Sequence, residues 1–199
     1  TCAPTRAALL TGRYSNRTGV WHTVQGRNML REREITLADI LKENGYETGL
    51  FGKWHLGHSQ EIFHPNQRGF DNFYGHLHTE VGYFPPFSNQ GGIDFQKNGV
   101  TIDDQGYSTF LLAREASNWI NSRDKEKPFF MYIPFLAPHT PLEAPEKLIE
   151  KYKTLEDTRK PTRNLTADRA RERSKTLAPS ARPLYCLLYT SPSPRDPNR

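Results

Sequence analysis

The sequence predicts an α/β fold, a mostly parallel mixed sheet flanked by helices, on three observations. Short apolar runs of strand length alternate with amphipathic helical patterns, an order that favours parallel strands covered by helices. Helix stops such as Gly12 and Gly45 fall at the ends of those patterns. The chain has 199 residues, 35% of them hydrophobic, enough for one sizeable core.

Taken in order, Ala7-Ala8-Leu9-Leu10 are good helix formers and Gly12 is a fitting stop. Thr36 to Gly45 reads as a short amphipathic helix, with Leu37, Ile40 and Leu41 on one face and Gly45 at its end. Tyr46 to Phe51 reads as a strand. Residues Gly57 to Gly106, rich in Gly, Pro, Asn and His, show no period and read as loops with short strands. Ser108 to Ser122 reads as a second helix, packing through Phe110, Leu111, Leu112, Ala113, Trp119 and Ile120. Phe129 to Ile133, after Pro128, reads as a short buried strand.

Residues 154–199 differ in kind. Thr162 to Lys175 is rich in Arg and poor in apolar residues, and the stretch that follows is proline-rich. Such a composition cannot bury a core, so a disordered C-terminal tail is expected. The string CLLYTSPSPRD, Cys186 to Asp196, resembles a translated sequencing adapter and is expected to be foreign to the protein. The organisation expected is therefore a folded segment over 1–153 and a disordered, non-native tail over 154–199.

Charge and cysteine content exclude several functions. Residues 151–199 carry 12 Lys and Arg against 5 Asp and Glu, which leaves 15 against 17 in residues 1–150. The overall +5 therefore implies no polyanion-binding field over the first 150 residues. A basic nucleic-acid-binding arm on residues 159–182 is a rival reading, but it lacks interleaved aromatics and any fold motif. No run of 18 apolar residues marks a membrane span, and no signal peptide is visible. Cys2 and Cys186 are too few for a disulfide scaffold or a four-Cys zinc site.

Three segments carry candidate chemistry. In Cys2-Ala3-Pro4-Thr5-Arg6 a cysteine stands just before a helix start, where backbone N–H groups favour developing negative charge. Pro4 suits a first helical turn, and Arg6 can reach back with paired N–H donors. A free cysteine alone is most often simply buried. A phosphatase loop would need Arg at position 8, where Ala8 stands, and a redox C-x-x-C would need Cys at position 5, where Thr5 stands. In the second segment, Gly45 to Gly57, strand alternation is expected to put Lys53 and His55 on one face as a cationic site for a tetrahedral anion. The third, Ala137-Pro138-His139-Thr140-Pro141, sets His139 on a proline-braced loop beyond a strand. Taken singly, each has an ordinary structural explanation.

Together they resemble the formylglycine-dependent sulfatases of the alkaline-phosphatase superfamily. CAPTRAALLTG matches that family's C-x-P-[ST]-R-x-x-L-L-T-G, and GYETGLFGKWHLG its second signature. His64 to Asp71 and APHTPLEAP, Ala137 to Pro145, are similar to further family segments.

The resemblance implies an alkaline-phosphatase-like α/β sandwich with the site at the carboxyl ends of the strands. It implies that a generating enzyme oxidises Cys2 to formylglycine. The hydrated aldehyde would attack sulfur through one hydroxyl and expel sulfate through the other. Arg6 would orient the formylglycine, Lys53 would bind sulfate and diol, His55 would take a proton in the release step, and His139 would bind sulfate or protonate the leaving oxygen. The formylglycine oxygen at position 2 would ligate a divalent cation, calcium in most of the family.

The family's paired Asp ligands, from a strand upstream of the cysteine, have no counterpart in these 199 residues, and neither have its later ligands and second Lys. The chain is therefore expected to be an internal fragment, inactive by itself. Asp103-Asp104 stands at the wrong place to replace them and reads as a solvated turn. His22, His58, His64, His76 and His78 could line a substrate pocket, though each alone reads as a surface or loop residue. Asn16-Arg17-Thr18 and Asn164-Leu165-Thr166 fit the glycosylation pattern. The resemblance implies a sulfate ester substrate, sulfated carbohydrates included, in an exported enzyme with no nucleic-acid or membrane partner. Phosphate or phosphonate ester hydrolysis is the alternative within the superfamily.

Overall fold

The computed structural model describes residues 1–79, 81–85, 87–88 and 91–152. The expected tail, its adapter-like string, the basic arm and Asn164 lie outside the described residues. Two compact units are distinguished, Thr1–Ala137 and Pro138 onward.

The first unit is built on a mixed five-stranded sheet. Its strands are β1 (Glu47–Lys53), β2 (Asn72–His76), β3 (Gln96–Lys97), β4 (Val100–Thr101) and β5 (Phe129–Tyr132), in the order β4-β3-β2-β1-β5. β1 is parallel to both β2 and β5, while β3 and β4 extend the sheet antiparallel. Helices α1 (Cys2–Thr11), α2 (Leu37–Glu43) and α3 (Ser108–Ser122) belong to this unit. The second unit holds α4 (Glu146–Tyr152), with Ile149 buried. The α/β class is as the alternation of patterns predicts.

β1 is buried on both faces from Thr48 to Lys53, as expected of a central parallel strand. Leu50 faces one core with Ala3, Ala7, Leu10, Trp54 and Phe73. Phe51 faces the other with Tyr74, Leu111, Leu112 and Ala116. Burying each large side chain contributes roughly 1.5–3 kcal/mol, which pins the register of β1 between the layers.

α1 follows its sequence signals. Ala3, Ala7 and Leu10 form its buried stripe, and Gly12, left-handed at φ 65°, closes it by donating its N–H to Ala8 O. α2 starts with a reciprocal cap: Asp39 N–H donates to Thr36 Oγ1 at 3.1 Å, and Thr36 N–H to Asp39 Oδ2 at 2.8 Å. Its core face departs from the expectation. Ala38 is buried, while Leu37 and Ile40 remain 42% and 48% exposed. The chain at Gly69 passes so close to the backbone of Ala38 and Asp39 that a Cβ there would lie 2.2 Å from Asp39 N. That seam takes small groups only, so the larger side chains turn outward.

α3 spans the residues expected, but its buried face is Leu111, Leu112 and Ala116; Phe110 is exposed and Trp119 half-buried against Phe51 and Phe129. β5 is half-buried rather than buried, and Phe129 is exposed. β2 lies in the stretch read as loops. Its five residues include an internal glycine and show no period, so only pairing with β1 reveals it.

Two constraints hold β1 and β2 together. Gly52 and Gly75 are register partners, and a Cβ on Gly75 would stand 2.1 Å from Gly52 O. At the other end Asp71 accepts from the Thr48 N–H and hydroxyl and pairs with Lys42 at 2.7 Å. Burial pushes the Asp71 carboxyl up, but the Lys42 and Thr48 bonds prevail and hold it below the ordinary range.

Gly75→Ala is expected to cost about 2 kcal/mol or more in urea unfolding, through backbone strain and overpacking; an unchanged midpoint would contradict the close approach. The Asp71 latch contributes stability that is present above the unfolded carboxyl pKa, about 4, and lost as pH falls through the lower folded value. Thermal unfolding of Asp71→Asn should therefore show a flatter acid limb than wild type.

Candidate active site

Cys2 is the first residue of α1 and half-buried, with a free thiol. It stands at the positive end of a ten-residue helix, so the helix start falls where the cysteine's setting suggests. The turn is braced by Thr5, whose N–H and hydroxyl both donate to Thr1 O, at 3.1 and 2.8 Å.

Arg6 stands one turn on, on the same helix face as Cys2. The sequence suggests that it reaches back to the cysteine. In the structure its Nη1 donates to Lys53 O at 2.7 Å and to the Tyr132 hydroxyl at 3.2 Å. Arg6 thus ties α1 to the carboxyl ends of β1 and β5. Burial pushes the Tyr132 phenol up despite the neighbouring guanidinium, so it stays protonated and accepts from Arg6. Arg6 Nε is buried and has no hydrogen-bond partner among the described residues.

Lys53 ends β1. Its side chain is buried, and its ammonium donates to Thr79 O. The expected period-2 pairing with His55 does not occur. β1 stops at Lys53, and His55 adopts a left-handed φ of 60°, which breaks strand alternation. The two are nevertheless held close along the chain, because the backbone beyond β1 is captured by the end of β2. Trp54 N–H donates to His76 O at 2.9 Å and His55 N–H to Leu77 O at 3.1 Å. The His55 ring is fully buried, with Nε2 2.7 Å from Thr23 O. A carbonyl can only accept, so Nε2 carries the hydrogen and Nδ1 is the basic nitrogen of neutral His55.

Of the remaining histidines, His76 departs furthest from the surface or loop reading. It lies on β2 as the register partner of Lys53, 2% exposed. Burial, then the charges of Lys53, Arg6 and His55, keep its pKa well below the usual imidazole value. The sequence held a signal for it, an imidazole soon after the Gly-Phe-Asp segment, but no pattern marked that segment as a strand. His58 and His78 lie ring to ring, centroids 3.9 Å apart, and the His78 and Leu77 N–H groups donate to Asp94. His58 and His64 line a polar cavity of about 440 Å³ with Gln60, Asn66 and Gln96. His22 is exposed beside Trp21.

Asp104 accepts from the Tyr74 hydroxyl at 2.5 Å and from Arg114 at 2.9 Å, and Asp103 from Gln105. These bonds tie both acids to neighbouring side chains. Among the described residues no three His, Cys, Asp or Glu stand together so as to hold a metal ion. His139 belongs to the second unit, where its Nδ1 lies 2.6 Å from Thr140 O. That bond fixes Nδ1 as the donor nitrogen.

The site can be set beside known proteins. A family model described as Sulfatase matches residues 1–186. Mouse arylsulfatase J is 33% identical over 164 residues, covering 77% of this chain and 27% of the relative. The crystal structure of Ps i-CgsB with k-i-k-neocarrahexaose superposes with a TM-score of 0.68 at 32% identity, over 78% of this chain and 39% of that one. The structure of BT4656 with its substrate D-glucosamine-2-N,6-O-disulfate gives a TM-score of 0.62 at 29% identity, over 81% and 30%. The chain thus spans about a third of the length of these relatives. A cysteine opening α1, an arginine one turn on that grips the end of β1, and a family match over most of the sequence lead to one conclusion: the chain belongs to the sulfatase family.

Proposed function

We propose that the whole protein hydrolyses sulfate monoesters at the junction of α1 with the carboxyl ends of β1 and β2. The observation that carries this is the bond from Arg6 to Lys53 O, which joins the helix turn bearing Cys2 to the buried lysine at the strand end. Sulfated sugars are the favoured substrate class, since BT4656, similar to this chain, has a glucosamine disulfate as its substrate.

The residues fit a formylglycine at position 2. The Cys2 thiol is free and only half-buried, and it stands within C-x-P-T-R at a helix start. A formylglycine hydrate there, made by a generating enzyme, would supply one hydroxyl to attack sulfur and a second to release sulfate. A divalent cation, calcium by resemblance, finds no ligand set among the described residues beyond the position-2 oxygen.

Lys53 binds the sulfate oxygens and offsets the charge that builds as the ester S–O bond breaks. Its burial strengthens that interaction relative to water. Arg6 orients residue 2 and adds positive charge along the same helix face. His55, with hydrogen on Nε2, accepts a proton at Nδ1 in the release step. By resemblance to the family, His139 would bind sulfate or protonate the leaving alcohol oxygen. The products are inorganic sulfate and the alcohol, with water consumed. Export of the protein accords with this chemistry, and no described helix is long and apolar enough to cross a membrane.

The test is sulfate release from p-nitrophenyl sulfate by the whole protein, with p-nitrophenyl phosphate measured beside it. Cys2→Ala is expected to abolish release, and Lys53→Ala to lower kcat by about 10²–10³-fold. Retained activity in Cys2→Ala would refute the nucleophile, and faster phosphate turnover would replace the substrate assignment. Mass analysis of the peptide holding residue 2 should show a loss of about 18 Da relative to cysteine, the covalent change expected for formylglycine.

A further inference from the structure

His76 occupies a place that the proposed reaction has not yet used. It is the last residue of β2 and the register partner of Lys53. In-register neighbours on adjacent strands project from the same face, so the imidazole leaves the sheet beside the lysine chain. Its carbonyl receives the Trp54 N–H, so the backbone of β2 is fixed against the turn that carries His55. The residue is 2% exposed, and its Nε2 has no hydrogen-bond partner among the described residues. A buried polar nitrogen of this kind forfeits its bonds to water, and native structures leave few such groups without a reason.

The surroundings indicate what would satisfy it. Lys53, Arg6 and His55 are the groups whose charge His76 feels most strongly. Another cation among them would be repelled. An oxyanion drawn in by Lys53 and Arg6 would accept a bond from Nε2–H. We propose that His76 is a substrate-binding residue whose neutral imidazole donates from Nε2 to an oxygen of the sulfuryl group. This rests on the sulfate-ester reading of the site and adds to it a donor that contributes no further positive charge. Burial and the adjacent cations keep the ring uncharged, so the donor persists across the pH range in which free histidine titrates.

The experiment titrates inorganic sulfate into the whole protein by calorimetry, comparing wild type with His76→Phe and His76→Gln. Phenylalanine keeps a flat ring but no donor, and glutamine restores an N–H. The expected result is sulfate affinity about tenfold weaker in His76→Phe, with most of it recovered in His76→Gln. Unchanged affinity in His76→Phe overturns the proposal. Equal losses in both variants also overturn it, because the residue would then act through packing alone. Should His76→Phe fail to fold, histidine-¹⁵N NMR of the wild type decides. Added sulfate should shift the His76 Nε2–H resonance, and an unmoved resonance overturns the assignment. Turnover of p-nitrophenyl sulfate with His76→Phe at wild-type sulfate affinity removes His76 from the site and leaves the hydrolase reading standing. Absence of wild-type turnover defeats that reading, while the titration still decides whether His76 binds the anion.

Discussion

The hydrogen bond from Arg6 Nη1 to the Lys53 carbonyl is the contact on which the site depends. A helix and a strand 47 residues apart in sequence are joined there through one guanidinium. The choice of arginine has a physical basis. Its planar fork can donate to a backbone carbonyl and the Tyr132 phenol together while keeping its charge, which an ammonium point charge does with less directional control. The charge and the geometry are therefore supplied by one side chain.

Burial of polar groups is the cost of such a site, and the fold meets it with backbone oxygens. Lys53 donates to Thr79 O and His55 to Thr23 O. Arg68 follows the same rule farther away. Its guanidinium donates to the carbonyls of Glu32, Arg31 and Glu34, which fixes the segment leading into α2. Burial lowers the Arg68 pKa, opposed by Asp39, Glu34 and Glu32. Backbone carbonyls are thus the partners that these buried side chains have in common. Neutral His76 fits the same scheme, since it fills a position beside Lys53 without increasing repulsion.

Close backbone approach gives the site its rigidity. Gly52 and Gly75 meet across β1 and β2 where a side chain on Gly75 would collide with Gly52 O, and Gly69 meets the backbone of α2 in the same way. The strand ends consequently have little room to shift. The turn after β1 is then held by two further bonds to the β2 side, from Trp54 and His55. The left-handed His55 is thus imposed by pairing beyond the strand end, and not by a local preference of histidine.

Much of the local structure was legible in the residues themselves. The helix stop at Gly12, the span of α3 and the strand before Lys53 follow from capping and periodicity, which depend on near neighbours. Cys2, Arg6, Lys53 and His55 were legible because two specific signatures mark them in order along the chain. What the residues did not disclose depends on distant partners. β2 has no period of its own and exists through pairing with β1. The buried face of α2 is decided by the passage of Gly69, not by its apolar stripe. The partner of Arg6 and the burial of His76 beside Lys53 likewise required the sheet to be assembled. Sequence alone determined which groups are present and where helices begin and end, because those follow from short-range sterics and hydrogen bonds. Tertiary structure decided which groups meet, because strand register and backbone approach join residues that no local pattern relates.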